Sequence, residues 1–321
     1  MTAADPSGRT PLIAVILPCY NEEAAIAGVV AAFREALPGA SVYVYDNAST
    51  DGTAEAARKA GAIVRTEKIK GKGNAMRRAF ADIDADVYVI ADGDGAYDAS
   101  AAPAMVAAMR RETLDMVVGV RAARGEDAYR PGHYIGNRAF SFLFRRLFRF
   151  EFTDILSGFR VLSRRFVKSF PSVSKGFEIE LEMSAHAALL RLPVGEIETV
   201  YRARAGGESK LDTLRDGLRI LRRMLTFLRQ HRPLLVFGSL SAVGAVLALA
   251  LAAPLIAHYL ATGLVPRLPT AVLATAIMLA SIIVLLVGVV IDAQARYFSE
   301  TKRLAYLSFP PPPGEPDETA G

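Results

Sequence analysis

A single cysteine, Cys19, rules out an intrachain disulfide and points to a reducing compartment. Histidine is scarce as well. His133, His186, His231 and His258 are scattered and none stands beside a serine as a nucleophile–base pair would require. His186 falls in an alanine- and leucine-rich helical stretch and reads as a packing residue rather than a base. The first strand-to-helix turn, Pro18-Cys19-Tyr20-Asn21-Glu22, has no glycine fingerprint, so a pyrophosphate cannot approach it as in a dinucleotide-binding fold, and a Walker loop is missing too. Met1–Thr10 is polar, with no apolar stretch, so no signal peptide is expected. No internal repeat is visible.

The 321 residues are enough for one large or two small domains. The hydrophobic share of 52% is slightly above the soluble average, and the excess lies after Leu234. A net charge of +5 suits nucleic acid, an anionic membrane face or phosphorylated substrates. The Pro310–Pro313 run and the acidic residues after it read as a disordered tail.

Up to about residue 100, short apolar runs alternate with alanine-rich helical stretches. Leu12–Leu17 is a doubly buried strand; a polar cap, Asn21-Glu22-Glu23, opens a helix to about Leu37; Val42–Tyr45 and Ala62–Arg65 are further strands. Ala85–Ala91 is another strand, running directly into Asp92-Gly93-Asp94. This alternation predicts an α/β fold with a mostly parallel sheet, ligands gathering at the carboxyl ends of its strands. Each polar cluster, Pro18–Glu22, Asp46–Gly52, Gly71–Asn74 and Asp92–Asp94, sits at or after such an end. Two carboxylates one residue apart, projecting from the sheet rim into solvent, suit Mg²⁺ or Mn²⁺, with phosphate oxygens and water as the other ligands. Gly93 between them would let a ligand approach closely.

Pro18-x-Tyr20-Asn21-Glu22, Asp46-Asn47-Ala48-Ser49-Thr50-Asp51, Asp92-x-Asp94, Ser157-Gly158-Phe159-Arg160 and Gly207-Glu208-Ser209-Lys210-Leu211, in this order over residues 11–215, resemble the family 2 glycosyltransferases with a GT-A fold. Within that family they look like the polyprenyl-phosphate branch, which includes the dolichyl-phosphate mannose and undecaprenyl-phosphate glucose synthases. The resemblance implies that Pro18, Tyr20, Asn21, Glu22, Asp46, Asn47, Lys72, Asp92 and Gly93 bind the nucleotide-sugar, and that Asp92 and Asp94 hold the metal. Asp51 is read equally as a ligand or as the cap of the helix after Gly52. Asp94, Asp154, Arg202 and Lys210 are the catalytic candidates, Asp154 acting as a general base or by orienting groups. Arg121, Arg138, Ser157, Arg160, Ser209 and Lys210 are expected around the acceptor phosphate. Glu178 and Glu180 open a helix and either favour its N-terminus or reach the sugar hydroxyls. Mannose synthases of this kind often read D-A-D-L-Q; here Ala96 stands at the glutamine, and Asp98 is the nearest acid to compensate. That departure favours a UDP-hexose or UDP-N-acetylhexosamine over GDP-mannose, which stays as the alternative donor.

Residues 133–150 and 214–232 interleave phenylalanine, leucine, isoleucine and methionine with arginine at helical spacing, the pattern of helices lying in a membrane interface. Two uncharged apolar runs, 234–260 and 268–291, each exceed the ~20 residues needed to span a bilayer. Arginines precede the first; Arg296, Lys302 and Arg303 follow the second; the connector holds only Arg267. The positive-inside bias then puts both termini and the catalytic domain (residues 11–213) on the cytoplasmic side of the inner membrane. Any homo-oligomer is expected to form through the transmembrane region. A processive polysaccharide synthase of the same fold would usually carry a Q-x-x-R-W motif, and this chain has no tryptophan. A membrane scaffold retaining the nucleotide-sugar fold is the non-enzymatic alternative; the phenylalanine density argues against a nucleic-acid partner.

Overall fold

A computed structural model describes residues 10–123, 145, 152–176, 178–201, 229 and 232–314. The expected interfacial helices at 133–150 and 214–232, together with Arg138, Arg202, Ser209 and Lys210, fall outside these apart from isolated positions. The chain divides into two compact units, Met1–Lys210 with Lys302–Gly321, and Leu211–Thr301.

The first unit is built on strand β1 (Ile13–Cys19), buried along its whole length as its unbroken apolar run demands. It lies between β2 (Ser41–Asp46) and β4 (Val87–Ile90), and the sheet extends as β3-β2-β1-β4-β6-β5-β7, with β3 at Ile63–Thr66, β5 at Met116–Ala123, β6 at Arg160–Ser163 and β7 at Val194–Tyr201. Only β6 runs against its neighbours. The mostly parallel α/β sheet expected from the alternation is therefore present. Helix α1 (Glu23–Ala36) turns Ile26, Val30 and Phe33 inward at helical spacing, against a core that includes Val15, Leu17, Val89, Met105, Val117 and Phe159. Helices α2 (Thr53–Lys59), α3 (Lys72–Asp82), α4 (Ala102–Arg111), α5 (Arg164–Ser169) and α6 (Ile179–Leu190) complete the described layers.

Strand register decides what meets at the sheet rim. Cys19 lies opposite Asp46, and Ile16 opposite Ile90. Because β4 ends three positions short of β1, the residues after Ile90 run on beside the end of β1, bringing Gly93 level with Cys19. A Cβ at Gly93 would collide with Cys19 Sγ. The glycine serves close packing beneath the acidic turn.

At the opposite end of the sheet, Asp115 is fully buried and accepts from Ser163 Oγ (2.7 Å), Arg165 Nε (2.6 Å) and Nη2 (2.8 Å), and Tyr306 Oη (2.8 Å). Tyr306 belongs to the last turns of helix α8 (Leu268–Leu307), and its ring lies under the Arg165 guanidinium. Further on, Arg110 donates to the carbonyls of Pro313 and Gly314. The proline run read as disordered is thus held by hydrogen bonds as far as Gly314.

In the second unit, helix α7 (Pro233–Thr262) ends at Gly263 in the left-handed conformation, whose N–H bonds Tyr259 O. It packs along α8 through small residues: Ser241 Oγ donates to Ser281 O at 2.7 Å, and a Cβ at Gly288 would fall 2.6 Å from Phe237 Cβ. Both helices are long and apolar enough to cross a membrane, and α8 runs well beyond the apolar stretch that suggested it.

Two outcomes follow from this packing. Asp115→Ala strands Arg165 in a mostly buried site and should cost ~3–5 kcal/mol; thermal unfolding of the detergent-solubilised protein within 1 °C of wild type would contradict this. His186, ringed by Phe166 and Phe170 and bonded to Ser169 Oγ at 3.0 Å, has its pKa pulled down to about 3, chiefly by burial. An unfolded imidazole titrates near ~6.5, so this residue leaves stability intact above that pH and erodes it progressively as pH falls toward the folded value. His186→Leu should show a shallower loss of melting temperature between pH 6.5 and pH 4.

Candidate active site

The turns after β1 and β2 are laced together by side chains. Asn21, with φ of 55°, accepts the Thr50 amide on Oδ1 at 2.8 Å and donates its own amide to Ser49 Oγ at 3.0 Å. Asp51 accepts from Thr53 N (3.1 Å) and Thr53 Oγ1 at the start of α2, and from Glu23 N in α1 (3.3 Å). Asp51 is therefore occupied as a cap, one of its two sequence readings. Asn47 is committed as well: its Nδ2 donates to Glu67 O and Ile69 O, and its Oδ1 accepts the Gly71 amide at 2.6 Å. It is a post for the 67–71 loop. Asp46, 7% exposed, gives Oδ1 to the Ser49 amide (3.2 Å), and its Oδ2 has no partner among the described residues.

The Asp92-Gly93-Asp94 turn departs from expectation in one respect. Its carboxylates do not project into solvent: Asp94 is 6% exposed and accepts the Ala96 amide at 3.1 Å, while Asp92 is half-buried and paired to Lys72. Lys72 opens α3 under Gly71, whose φ of 133° only glycine adopts readily, and its Nζ bridges Asp92 and Glu180. Burial alone would depress this ammonium; the two carboxylates reverse that and hold its pKa well above the ordinary lysine range. Burial pushes Glu180 upward, with Lys72 opposing. Lys72 was expected on a phosphate or base edge; it instead balances two acids. Glu180 Oε2 is buried with no hydrogen-bond partner among the described residues. Gly158 presses on the pair: a Cβ there would fall 2.8 Å from Asp92 Oδ2 and 3.1 Å from Lys72 Nζ.

Ser157 and Arg160, both expected around the acceptor phosphate, are tied into the surrounding backbone. Ser157 is fully buried and donates to Gly119 O. Arg160 is equally buried, donating to Ser157 O, Ile155 O and Ser184 Oγ, and burial lowers its pKa to about 10. Asp154, 3% exposed, binds Arg121 through both oxygens, at 2.7 Å to Nε and 2.8 Å to Nη2. Of its two sequence readings, this geometry fits orienting rather than proton abstraction. Arg121 stands near the end of β5, with its guanidinium over the Tyr201 ring at the end of β7. Asp98 caps the short turn before α4 by accepting the Ser100 amide. Sequence reading missed Tyr97 and Tyr201: aromatic residues that end strands or follow turns carry no motif. Glu180 was noticed, but nothing in its spacing linked it to Lys72, 108 residues earlier.

The charge balance is testable. Lys72→Met leaves Asp92 and Glu180 without their shared cation and should cost ~3–5 kcal/mol. Lys72→Met combined with Glu180→Gln should recover much of that loss, and an unfolding series in which the double variant is no more stable than the single would contradict the bridge.

Set beside known proteins, residues 14–170 match the family described as "Glycosyl transferase family 2". The chain is 36% identical over 247 residues to "Glycosyltransferase AglJ" of Haloferax volcanii, covering 75% of this chain and 80% of that protein. It is 30% identical over 208 residues to "Dolichyl-phosphate hexose transferase" of the same organism, covering 65% and 90%. Among solved structures, Mycobacterium tuberculosis glucosyl-3-phosphoglycerate synthase, in complex with Mn²⁺, UDP-glucose and phosphoglyceric acid, superposes with a TM-score of 0.56 at 24% identity, over 67% of this chain and 79% of that one. The seven-strand sheet is thus shared with a nucleotide-sugar enzyme, and the chain belongs to glycosyl transferase family 2.

Proposed function

We propose that this chain is a membrane-anchored, inverting glycosyltransferase that moves a hexose or N-acetylhexosamine from a UDP-sugar to a polyprenyl phosphate. The observation that carries this reading is a division of the sheet rim. Asp46, Asp92 and Asp94 gather at the carboxyl ends of β2 and β4, and Arg121 with Asp154 stands near that of β5. Two long apolar helices follow in the same chain. The related dolichyl-phosphate hexose transferase supports the lipid acceptor.

For the donor, Asp46 has one uncommitted carboxylate oxygen, which suits the single imide N–H of uracil; the N1–H and 2-amino edge of guanine would use two. Two carboxylates on one turn fit a hard divalent cation that takes its other ligands from a diphosphate, and Gly158 leaves the approach to Asp92 Oδ2 unobstructed by a side chain. Mg²⁺ or Mn²⁺ held by Asp92 and Asp94 would offset the charge that builds on the departing diphosphate. The lipid phosphate is already anionic, so its oxygen attacks the sugar C1 without a base while the C1–O bond to UDP breaks; an α-linked donor gives a β-linked product. The bidentate Arg121–Asp154 pair agrees with this, since Asp154 aims a cation at the acceptor phosphate. Arg202, Ser209, Lys210 and Arg138 are proposed on the same acceptor face. Arginines before α7 and the Arg296, Lys302 and Arg303 group support a cytoplasmic position for the catalytic domain and both termini.

Full-length protein in detergent, incubated with Mg²⁺ or Mn²⁺, radiolabelled nucleotide-sugars and a short polyprenyl phosphate, should carry label from a UDP-sugar into the organic phase. Unphosphorylated polyprenol should accept none. Absence of lipid-linked label with every donor would overturn the proposal, and label from GDP-mannose alone would replace the donor. Asp94→Asn should slow transfer ~10²-fold or more while melting as wild type does.

A further inference from the structure

Tyr97 touches both halves of this site. It follows Asp94 by three residues and is 8% exposed. Its hydroxyl oxygen accepts the Gly158 amide at 2.8 Å, and Gly158 is the residue packed against Asp92 and Lys72. Its ring meets Phe159 at 5.5 Å and Tyr201 at 5.2 Å between centroids, and its backbone pairs with that of Tyr201 in an antiparallel bridge. The Tyr201 ring in turn lies 5.5 Å below the Arg121 guanidinium carbon, and Arg121 is locked onto Asp154.

A continuous series of contacts therefore runs from the acidic turn to the acceptor-side arginine through two aromatic residues, Tyr97 and Tyr201. We propose that Tyr97 is a positioning residue that sets the separation between the donor diphosphate, held beside Asp92 and Asp94, and the acceptor phosphate, held by Arg121. The inference rests on the function proposed above, because it needs Arg121 to hold the acceptor. Its physical basis is that in-line displacement requires nucleophile and sugar C1 at near-attack distance, and a misplacement of ~1 Å can cost ~10²-fold in rate. Separate loops on each side would not hold that spacing. A buried ring wedged between Phe159 and Tyr201, and pinned at its hydroxyl by a backbone amide, does. The series ends at two groups with different ligands, so loosening it should affect the reaction more than either binding step.

The test uses the full-length enzyme in the lipid-transfer assay, alongside UDP binding measured by calorimetry with Mn²⁺. Tyr97→Leu should lower kcat ~10- to 100-fold, while the KM for the UDP-sugar and the Kd for UDP change less than threefold. Tyr97→Phe, which keeps the ring and loses only the hydroxyl acceptor, should recover most of kcat. Tyr201→Leu should reproduce the Tyr97→Leu defect and serves where Tyr97→Leu yields too little folded protein. Tyr97→Leu combined with Arg121→Lys should lose much less than the product of the two single losses.

A kcat within threefold of wild type for both leucine variants would overturn the inference. So would a loss matched by the fall in folded protein, or double-variant losses that simply multiply. Failure of the underlying reading looks different: Arg121→Ala would leave the KM for polyprenyl phosphate unchanged, or wild-type protein would transfer no sugar to lipid.

Discussion

One buried ammonium makes the acidic half of the site tenable. Asp92 and Glu180 come from a strand end and a helix more than eighty residues apart, and both are drawn into protein where like charges repel strongly. Lys72 lies between them, and both carboxylates hold its proton against burial. Much of the local sequence answers to this arrangement. Gly71 takes a backbone conformation that a side chain would resist, Gly73 lies against the 174–175 backbone, and Gly158 leaves no Cβ where the ion pair sits. Of these, Gly158 is the one that lies against the ion pair itself, while Gly71 and Gly73 let the start of α3 pack against the 174–175 backbone.

The same economy appears elsewhere around the site. Motif residues that look like ligands in a linear reading divide into groups that face the cleft and groups that build it. Asn21 and Asp51 tie two turns together, Asn47 supports the loop that leads to Lys72, and Ser157 and Arg160 brace the turn whose Gly158 meets Asp92. Arg160 is the sharpest case. A fully buried guanidinium with four protein acceptors, Met116 Sδ among them, it holds the 155–157 backbone that carries the Asp154 region. Half of what makes this site specific is scaffolding of that kind.

The acceptor half follows a different logic. Arg121 is saturated on one face by Asp154 and backed by Tyr201, which fixes its direction without cancelling its use as a donor. On the function proposed above the nucleophile is an anionic phosphate oxygen, so an acid spent on orienting an arginine costs that chemistry nothing. At the far end of the sheet, Asp115 gathers Ser163, Arg165 and Tyr306, so the last turns of α8 belong to the first unit.

The linear order of residues was enough to determine the α/β alternation, the mostly parallel sheet, the two long apolar helices and the addresses of the polar clusters. Those are local matters of periodicity, capping and chain direction, in which neighbours a few positions apart decide the outcome. It also offered Asp46, Asp92, Asp94, Arg121 and Asp154 as candidates for the site. What only the tertiary structure decided was which polar atoms are already spent. Lys72 with Glu180, Tyr97 with Tyr201, and Asp115 with Tyr306 are separated by about a hundred residues or more. Strand register and helix packing bring them together, and no spacing rule along the chain encodes a contact made across the sheet. A buried polar group must find a partner wherever the fold supplies one, so its role is settled only when the chain has closed around it.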